Sequence, residues 1–137
     1  GKQIPVIFTS SKQAAQSNPY GISKFHAEQE ILKLRAEINN PCTIFRLPGV
    51  FGKWCKPNYN SVVATFCYNI ANGIPITVHD TQKCLELVYV DDFIESVIGK
   101  IHTLEGDNLW SNVEPTYRIT LNSLADKIRL LHENHNF

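Results

Sequence analysis

Two short runs of β-branched and aromatic residues, Ile4-Pro5-Val6-Ile7-Phe8-Thr9 and Cys42-Thr43-Ile44-Phe45-Arg46-Leu47, stand on either side of a long segment with helical period. Strands that read as near-continuous apolar runs are buried on both faces of a sheet. With a helix between them, such strands pair in parallel through a crossover rather than through a tight turn. The alternation continues along the chain, and it predicts an α/β fold built on parallel pairing.

Pro5 lacks an N–H and belongs among the first residues of its strand. Ser10 to Asn18 reads as a loop, and Pro19 suits the first turn of a helix. From Tyr20 to about Ile38 the residues Ile22, Phe25, Ile31, Leu32 and Leu34 make an apolar stripe, with Glu28, Glu30, Lys33 and Arg35 on the wet face. Asn39-Asn40-Pro41 ends that helix. Gly49 to Asn60 is rich in turn formers and reads as a loop, followed by a helix from Ser61 to Asn72 closed by Gly73. Phe66 and Tyr68 on it are expected in the core. Short strands are expected at Ile76–Val78 and Leu85–Val90, and Asp91-Asp92 fits the acidic first turn of a helix reaching about Ile101. Gly106 to Glu114 reads as a loop, Tyr117–Thr120 as a strand and Asn122 to Leu131 as a last amphipathic helix.

Composition narrows the function classes. Thirteen basic and thirteen acidic residues cancel, with a pI near 7.1. That balance offers no long-range attraction to phosphate backbones or anionic bilayers, so neither nucleic acid nor membrane is an expected partner. No apolar run approaches the roughly 20 residues of a membrane span, and no signal-like stretch opens the sequence. The four cysteines, Cys42, Cys55, Cys67 and Cys84, form no Cys-x-x-Cys pair. They read as free thiols of a reducing, cytoplasmic compartment, with a disulfide framework as the alternative. There is no methionine and the chain opens on Gly1, so the expectation is a piece of a longer protein.

Chemistry concentrates in one place. Thr9-Ser10-Ser11 closes the first strand, and Tyr20 and Lys24 follow, four residues apart and so on one face of the helix. Ligands of open α/β sheets gather at the carboxyl ends of strands, where Ser11 stands. A free tyrosine has a pKa of about 10, and a cation a few ångströms away favours the phenolate. A serine hydroxyl can then bond a substrate oxygen while the phenol gives or takes its proton. Such a trio suits hydride transfer at a carbon bearing an alcohol or ketone. Tyr-x-x-x-Lys alone is a weak pattern, and a solvated pair explains most of its occurrences. Thr-Ser-Ser before it, and Asn18-Pro19 and Gly21-x-Ser23 around it, make the set specific.

Ile7-Phe8-Thr9-Ser10-Ser11 and Asn18-Pro19-Tyr20-Gly21-Ile22-Ser23-Lys24 resemble the extended short-chain dehydrogenases/reductases that act on nucleotide sugars. Arg46-Leu47-Pro48-Gly49-Val50-Phe51-Gly52 is similar to their segment beside the nicotinamide and the sugar, and Val88-Tyr89-Val90-Asp91-Asp92 to their late strand. The likeness runs from Ile4 to about Leu131. Gly52 through Ile70 resembles, more narrowly, the CapF/WbjC type of capsular polysaccharide reductase, in which a cupin domain follows the reductase domain.

That resemblance implies the carboxyl-terminal part of a Rossmann-like parallel sheet plus the small substrate-binding subdomain. Residues 1–137 would then be a partial NAD(P)-binding reductase domain, lacking the Gly-rich amino-terminal half and any cupin domain. The implied activity is NADPH-dependent reduction of a UDP-4-keto-6-deoxy-hexosamine toward UDP-N-acetyl-L-fucosamine, in capsule or O-antigen sugar biosynthesis. Implied catalytic residues are Ser11, Tyr20 and Lys24. Tyr20, Lys24, Leu47, Pro48 and Val50 would hold the cofactor, and Ser11 and Asn60 the substrate, with Ser10 as the next candidate for the serine. No metal is implied. The partners are the nucleotide sugar and the missing cofactor-binding half, and a homodimer is allowed. An NAD-dependent nucleotide-sugar 4-epimerase uses the same trio and stays open, as does a catalytically silent fragment. A 4,6-dehydratase would need an Asp-Glu pair after Thr9, where Ser10-Ser11-Lys12 stands. No Gly-x-Gly-x-x-Gly occurs; Gly49-x-x-Gly52 is isolated and follows the wrong strand for a phosphate turn. Trp54 and Tyr59 are candidates for the sugar site or for loop packing. His26 and His79 read as ordinary surface or core histidines, and His132 and His135 resemble a metal pair only superficially.

Overall fold

The computed structural model describes residues 4–102 and 108–134. Two compact units divide the chain: Gly1–Pro48 with Asp91–Pro115, and Gly49–Val90 with Thr116–Phe137.

In the first unit, strand β1 (Val6–Ser11) runs parallel to β2 (Cys42–Leu47), with helix α1 (Pro19–Ile38) as the crossover. Their register sets Ser10 beside Arg46 and Ser11 beside Leu47. A two-residue strand, β3 (Trp110–Ser111), adds in parallel to the other edge of β2, giving the order β1-β2-β3. Every residue of β2 except Arg46 is buried. Ile44 and Phe45 are fully enclosed, and Phe45 meets Phe93 edge-on at 5.6 Å between centroids. A central strand covered on both faces needs such a run of apolar side chains, so the parallel α/β expectation holds here.

The second unit carries its own three-stranded sheet. Strand β4 (Gly49–Phe51) pairs in parallel with β5 (Cys84–Tyr89), which pairs antiparallel with β6 (Tyr117–Thr120). Phe66 of helix α2 (Val62–Ala71) meets Leu124 and Ala125 of helix α4 (Leu121–Asn134) in the core, with Val63, Leu85, Ile119 and Ile128 around them. Helix α3 (Val90–His102), which from Asp91 onward belongs to the first unit, has Asp91 and Asp92 in its first turn, as their charge favours.

Several expectations needed correction. Ile76–Val78 forms no strand; Ile76 and Val78 pack as coil against the α2–α4 core. Pro75, just before them, cannot donate to a ladder. β4 and β3 lie in stretches that read as loops, because pairing partners far along the chain extend segments with little strand pattern of their own. Ser10 and Ser11 continue β1, and a 3₁₀ turn (Lys12–Ala15) follows. Tyr68 is exposed rather than core, whereas Phe66 is buried. All four cysteines are free, so no disulfide framework exists. Among the described residues no helix is long and apolar enough to cross a membrane.

Candidate active site

The site begins with two caps. Ser11 Oγ accepts the Gln13 N–H at 3.1 Å and caps the 3₁₀ turn. Asn18 Oδ1 accepts the Gly21 N–H at 2.8 Å and caps α1, with Pro19 in its first turn. The turn and the helix then touch at Gly21. A methyl group there would collide with the Gln13 carbonyl oxygen and stand 2.6 Å from that of Gln16. Glycine thus lets the segment after Ser11 lie against the turn that carries Tyr20. Asn18→Ala is expected to cost about 1 kcal/mol, read as a lower unfolding midpoint. For Gly21→Ala the overpacking cost is about 1–3 kcal/mol, and the same measurement checks it.

Tyr20 and Lys24 leave α1 on one side. The Lys24 ammonium lies 5.8 Å from the Tyr20 ring centroid and 5.4 Å from that of Phe8, and Nζ donates to the Thr9 carbonyl at 3.1 Å. The lysine is thereby tied to the end of β1 while facing the tyrosine. Tyr20 is 52% exposed, and its hydroxyl has no hydrogen-bond partner among the described residues. An ammonium has three donors, and the Thr9 carbonyl takes one of them. Half-buried Ser11 uses its oxygen for Gln13, and its own proton has no acceptor among the described residues. These groups fit the nicotinamide-ribose end of a dinucleotide and a sugar oxygen: two ammonium donors, a phenol and a hydroxyl facing outward.

Ser10, the alternative candidate for the substrate serine, is placed differently from Ser11. It is buried and donates from Oγ to Glu28 Oε1 at 2.5 Å. Glu28, assigned above to the wet face, is wholly buried, while Ile22 and Phe25 of the expected apolar stripe are exposed. Arg46 explains the inversion. Its Nε donates to Glu28 Oε1 at 2.9 Å and its Nη2 to Oε2 at 2.6 Å, a two-pronged ion pair. Its guanidinium also lies 4.8 Å from the Trp110 ring centroid. Burial pushes the Glu28 carboxyl up, but the Arg46 and Ser10 hydrogen bonds and the guanidinium charge outweigh it and hold the group below its ordinary value. Hydrogen bonding to Glu28 raises Arg46 in turn. The signal was present in the sequence: Tyr20, Lys24 and Glu28 repeat at helical spacing, and an arginine inside an apolar strand requires a partner.

The remaining predicted residues divide between the units. Leu47 is buried and Pro48 half-buried at the carboxyl end of β2 in the first. In the second, Val50 is half-buried on β4 and Asn60 is exposed just before the Ser61 cap of α2. Trp54 and Tyr59, 96% and 78% exposed, have no loop-packing role. Gly49 and Gly52 serve close packing within their unit: a methyl group would stand 2.9 Å from Leu87 Cδ2 at the first and 2.6 Å from Val90 Cγ1 at the second. His26 and His79 are exposed, and His135 lies outside the described residues. Among the described residues no group of three or more His, Cys, Asp or Glu could hold a metal ion.

A parallel strand–helix–strand unit with a hydroxyl cluster at its strand end and a Tyr–Lys pair on its crossover helix defines the class, an extended short-chain dehydrogenase/reductase. Residues 1–107 match the NAD dependent epimerase/dehydratase family, and the chain belongs to it. It is 43% identical over 128 residues to the UDP-2-acetamido-2,6-beta-L-arabino-hexul-4-ose reductase of Pseudomonas aeruginosa, covering 93% of this chain and 34% of that protein. The crystal structure of the capsular polysaccharide assembling protein CapF from Staphylococcus aureus matches with a TM-score of 0.86 and 39% identity, over 97% of this chain and 37% of that one. A UDP-N-acetylglucosamine 4-epimerase from Methanobrevibacter ruminantium shares the fold, with a TM-score of 0.80 and 24% identity over 94% of this chain and 47% of that one. The chain thus spans about a third of the length of the reductase and of CapF.

Proposed function

We propose that this chain is the carboxyl-terminal part of the reductase domain of a CapF-like enzyme. The full polypeptide would reduce the 4-keto group of a UDP-4-keto-6-deoxy-hexosamine with NADPH, toward UDP-N-acetyl-L-fucosamine. The observation that carries the reading is the Lys24 ammonium facing the Tyr20 ring while the phenol stays open to solvent. The 43% identity to a nucleotide-sugar reductase supports a nucleotide sugar as the substrate. Four free cysteines agree with a reducing, cytoplasmic setting.

When bound, the nicotinamide supplies the hydride to carbon 4. The protein's own part is the proton and the orientation. Ser11 donates its O–H to the ketone oxygen and holds it within reach of Tyr20. As the carbonyl π bond breaks, the Tyr20 O–H bond breaks with it, and its proton completes the new C–O–H. Lys24 stabilises the phenolate left behind, and its remaining donors bond the ribose of the cofactor. Leu47 and Pro48 would border the nicotinamide; in the other unit, Val50 and Asn60 are the residues that the resemblance assigns to the cofactor and to the substrate.

The test is NADPH oxidation by the full-length protein with the 4-keto sugar nucleotide. Net loss of NADPH absorbance is expected. An epimerase, which returns the hydride it removes, would interconvert sugars without that loss. For the isolated chain no saturable NADPH binding is expected, because it carries no glycine-rich turn for the pyrophosphate; saturable binding would rule out a silent fragment.

A further inference from the structure

Glu28 lies one turn beyond Lys24 and two beyond Tyr20 on α1, but it points into the protein. There it joins three elements of the first unit. It sits on the helix of the Tyr–Lys pair, accepts from Ser10 at the end of β1, and grips Arg46 on β2. Ser10 is bonded through the backbone to Ser11, and the preceding residue, Thr9, supplies the carbonyl that holds Lys24. Ser11 and Lys24 are therefore both tied to the strand end that Glu28 clamps, and Tyr20 shares the helix that carries Glu28. A carboxylate buried this deeply is costly unless its lone pairs are filled, and here Ser10 and Arg46 fill them. These directional bonds add to the apolar packing between sheet and helix and fix their relative position at this end of the strands.

We infer that Glu28, acting through Ser10, is a positioning residue for proton transfer: it fixes the Ser11 hydroxyl relative to the Tyr20 phenol and the Lys24 ammonium. This rests on the reductase reading above and adds a residue to it that touches neither substrate nor cofactor. Misplacement of a reacting group by about 1 Å can cost on the order of 100-fold in rate.

The experiment uses the full-length protein, with kcat, KM for the keto sugar and Kd for NADPH measured at 25 °C on folded protein. Ser10→Ala keeps the Glu28–Arg46 pair and cuts only the link to β1. It is expected to lower kcat about 10-fold and to leave the NADPH Kd within about twofold. In a Tyr20→Phe background the same change should have little further effect, because residues that act as a unit are non-additive. Glu28→Gln, which keeps the shape but drops the charge, should act in the same direction, toward about 100-fold. If that variant does not fold, Ser10→Ala decides alone. A lowered melting point with kcat unchanged in Ser10→Ala makes the network purely structural and overturns the inference. An equal loss in both backgrounds overturns it too, since the effect would not pass through Tyr20. An intact rate in Tyr20→Phe itself sinks the reductase reading and this inference with it, whereas loss in Tyr20→Phe with none in Ser10→Ala sinks the inference only.

Discussion

Tyr20→Phe in the full-length protein is expected to lower kcat for the 4-keto sugar nucleotide by about 10³-fold, inside the 10²–10⁴ range of a lost general acid. The substitution removes one oxygen and leaves the ring against which the Lys24 ammonium lies. The phenol is half exposed at the first turn of α1 and its hydroxyl has no hydrogen bond among the described residues, so folding should be unaffected. Rate and stability therefore separate: turnover collapses while the unfolding midpoint stays in place. Lys24→Met should slow turnover as well and weaken NADPH, because its ammonium is assigned to both phenol and ribose. Single-turnover kinetics beside a melting curve checks both. A Tyr20→Phe enzyme with unchanged kcat would falsify the assignment.

Arg46→Ala is expected to destabilise the protein by about 3 kcal/mol, the low end for breaking a buried pair, because the arginine itself is partly exposed and water can replace some of what it gives. Its pH signature is more specific. In the parent, the Glu28 carboxyl is held below its ordinary value. A depressed carboxyl contributes stability that is present above its unfolded pKa, about 4.3, and lost as pH falls through the folded value. Without Arg46, burial is the dominant influence left, and it raises the group. The carboxylate then weakens the fold near neutrality, and that penalty is relieved as pH falls and the group protonates. Denaturant titrations of parent and variant at pH 7 and pH 5 should show their difference narrowing on acidification. A difference independent of pH would mean that Glu28 is not the group left uncompensated.

Much of this architecture is legible residue by residue. The β-branched runs at Val6–Thr9 and Cys42–Leu47, the helical segment between them and the Asn18-Pro19 start are local signals, and β1, α1 and β2 form where they point. The spacing of Tyr20 and Lys24 placed them on one face, and they lie on one face. Glu28 shows where such reasoning stops. A glutamate amid Glu30, Lys33 and Arg35 looks solvated by composition, and only the parallel register that brings Arg46 beside Ser10 puts a cation and a donor within its reach. The short strands β3 and β4 escaped for the same reason, being defined by Ile44 and Leu87, residues distant along the chain.

Period, caps and the hydroxyl, phenol and ammonium set thus belong to the primary structure, because each depends on neighbours within a helical turn or along a strand. Which side of α1 turns inward, which of two adjacent serines stays outward, and whether a charged residue is buried were settled by packing. A buried charge is tolerated only where partners from other segments converge on it, and that convergence exists only once the sheet has formed.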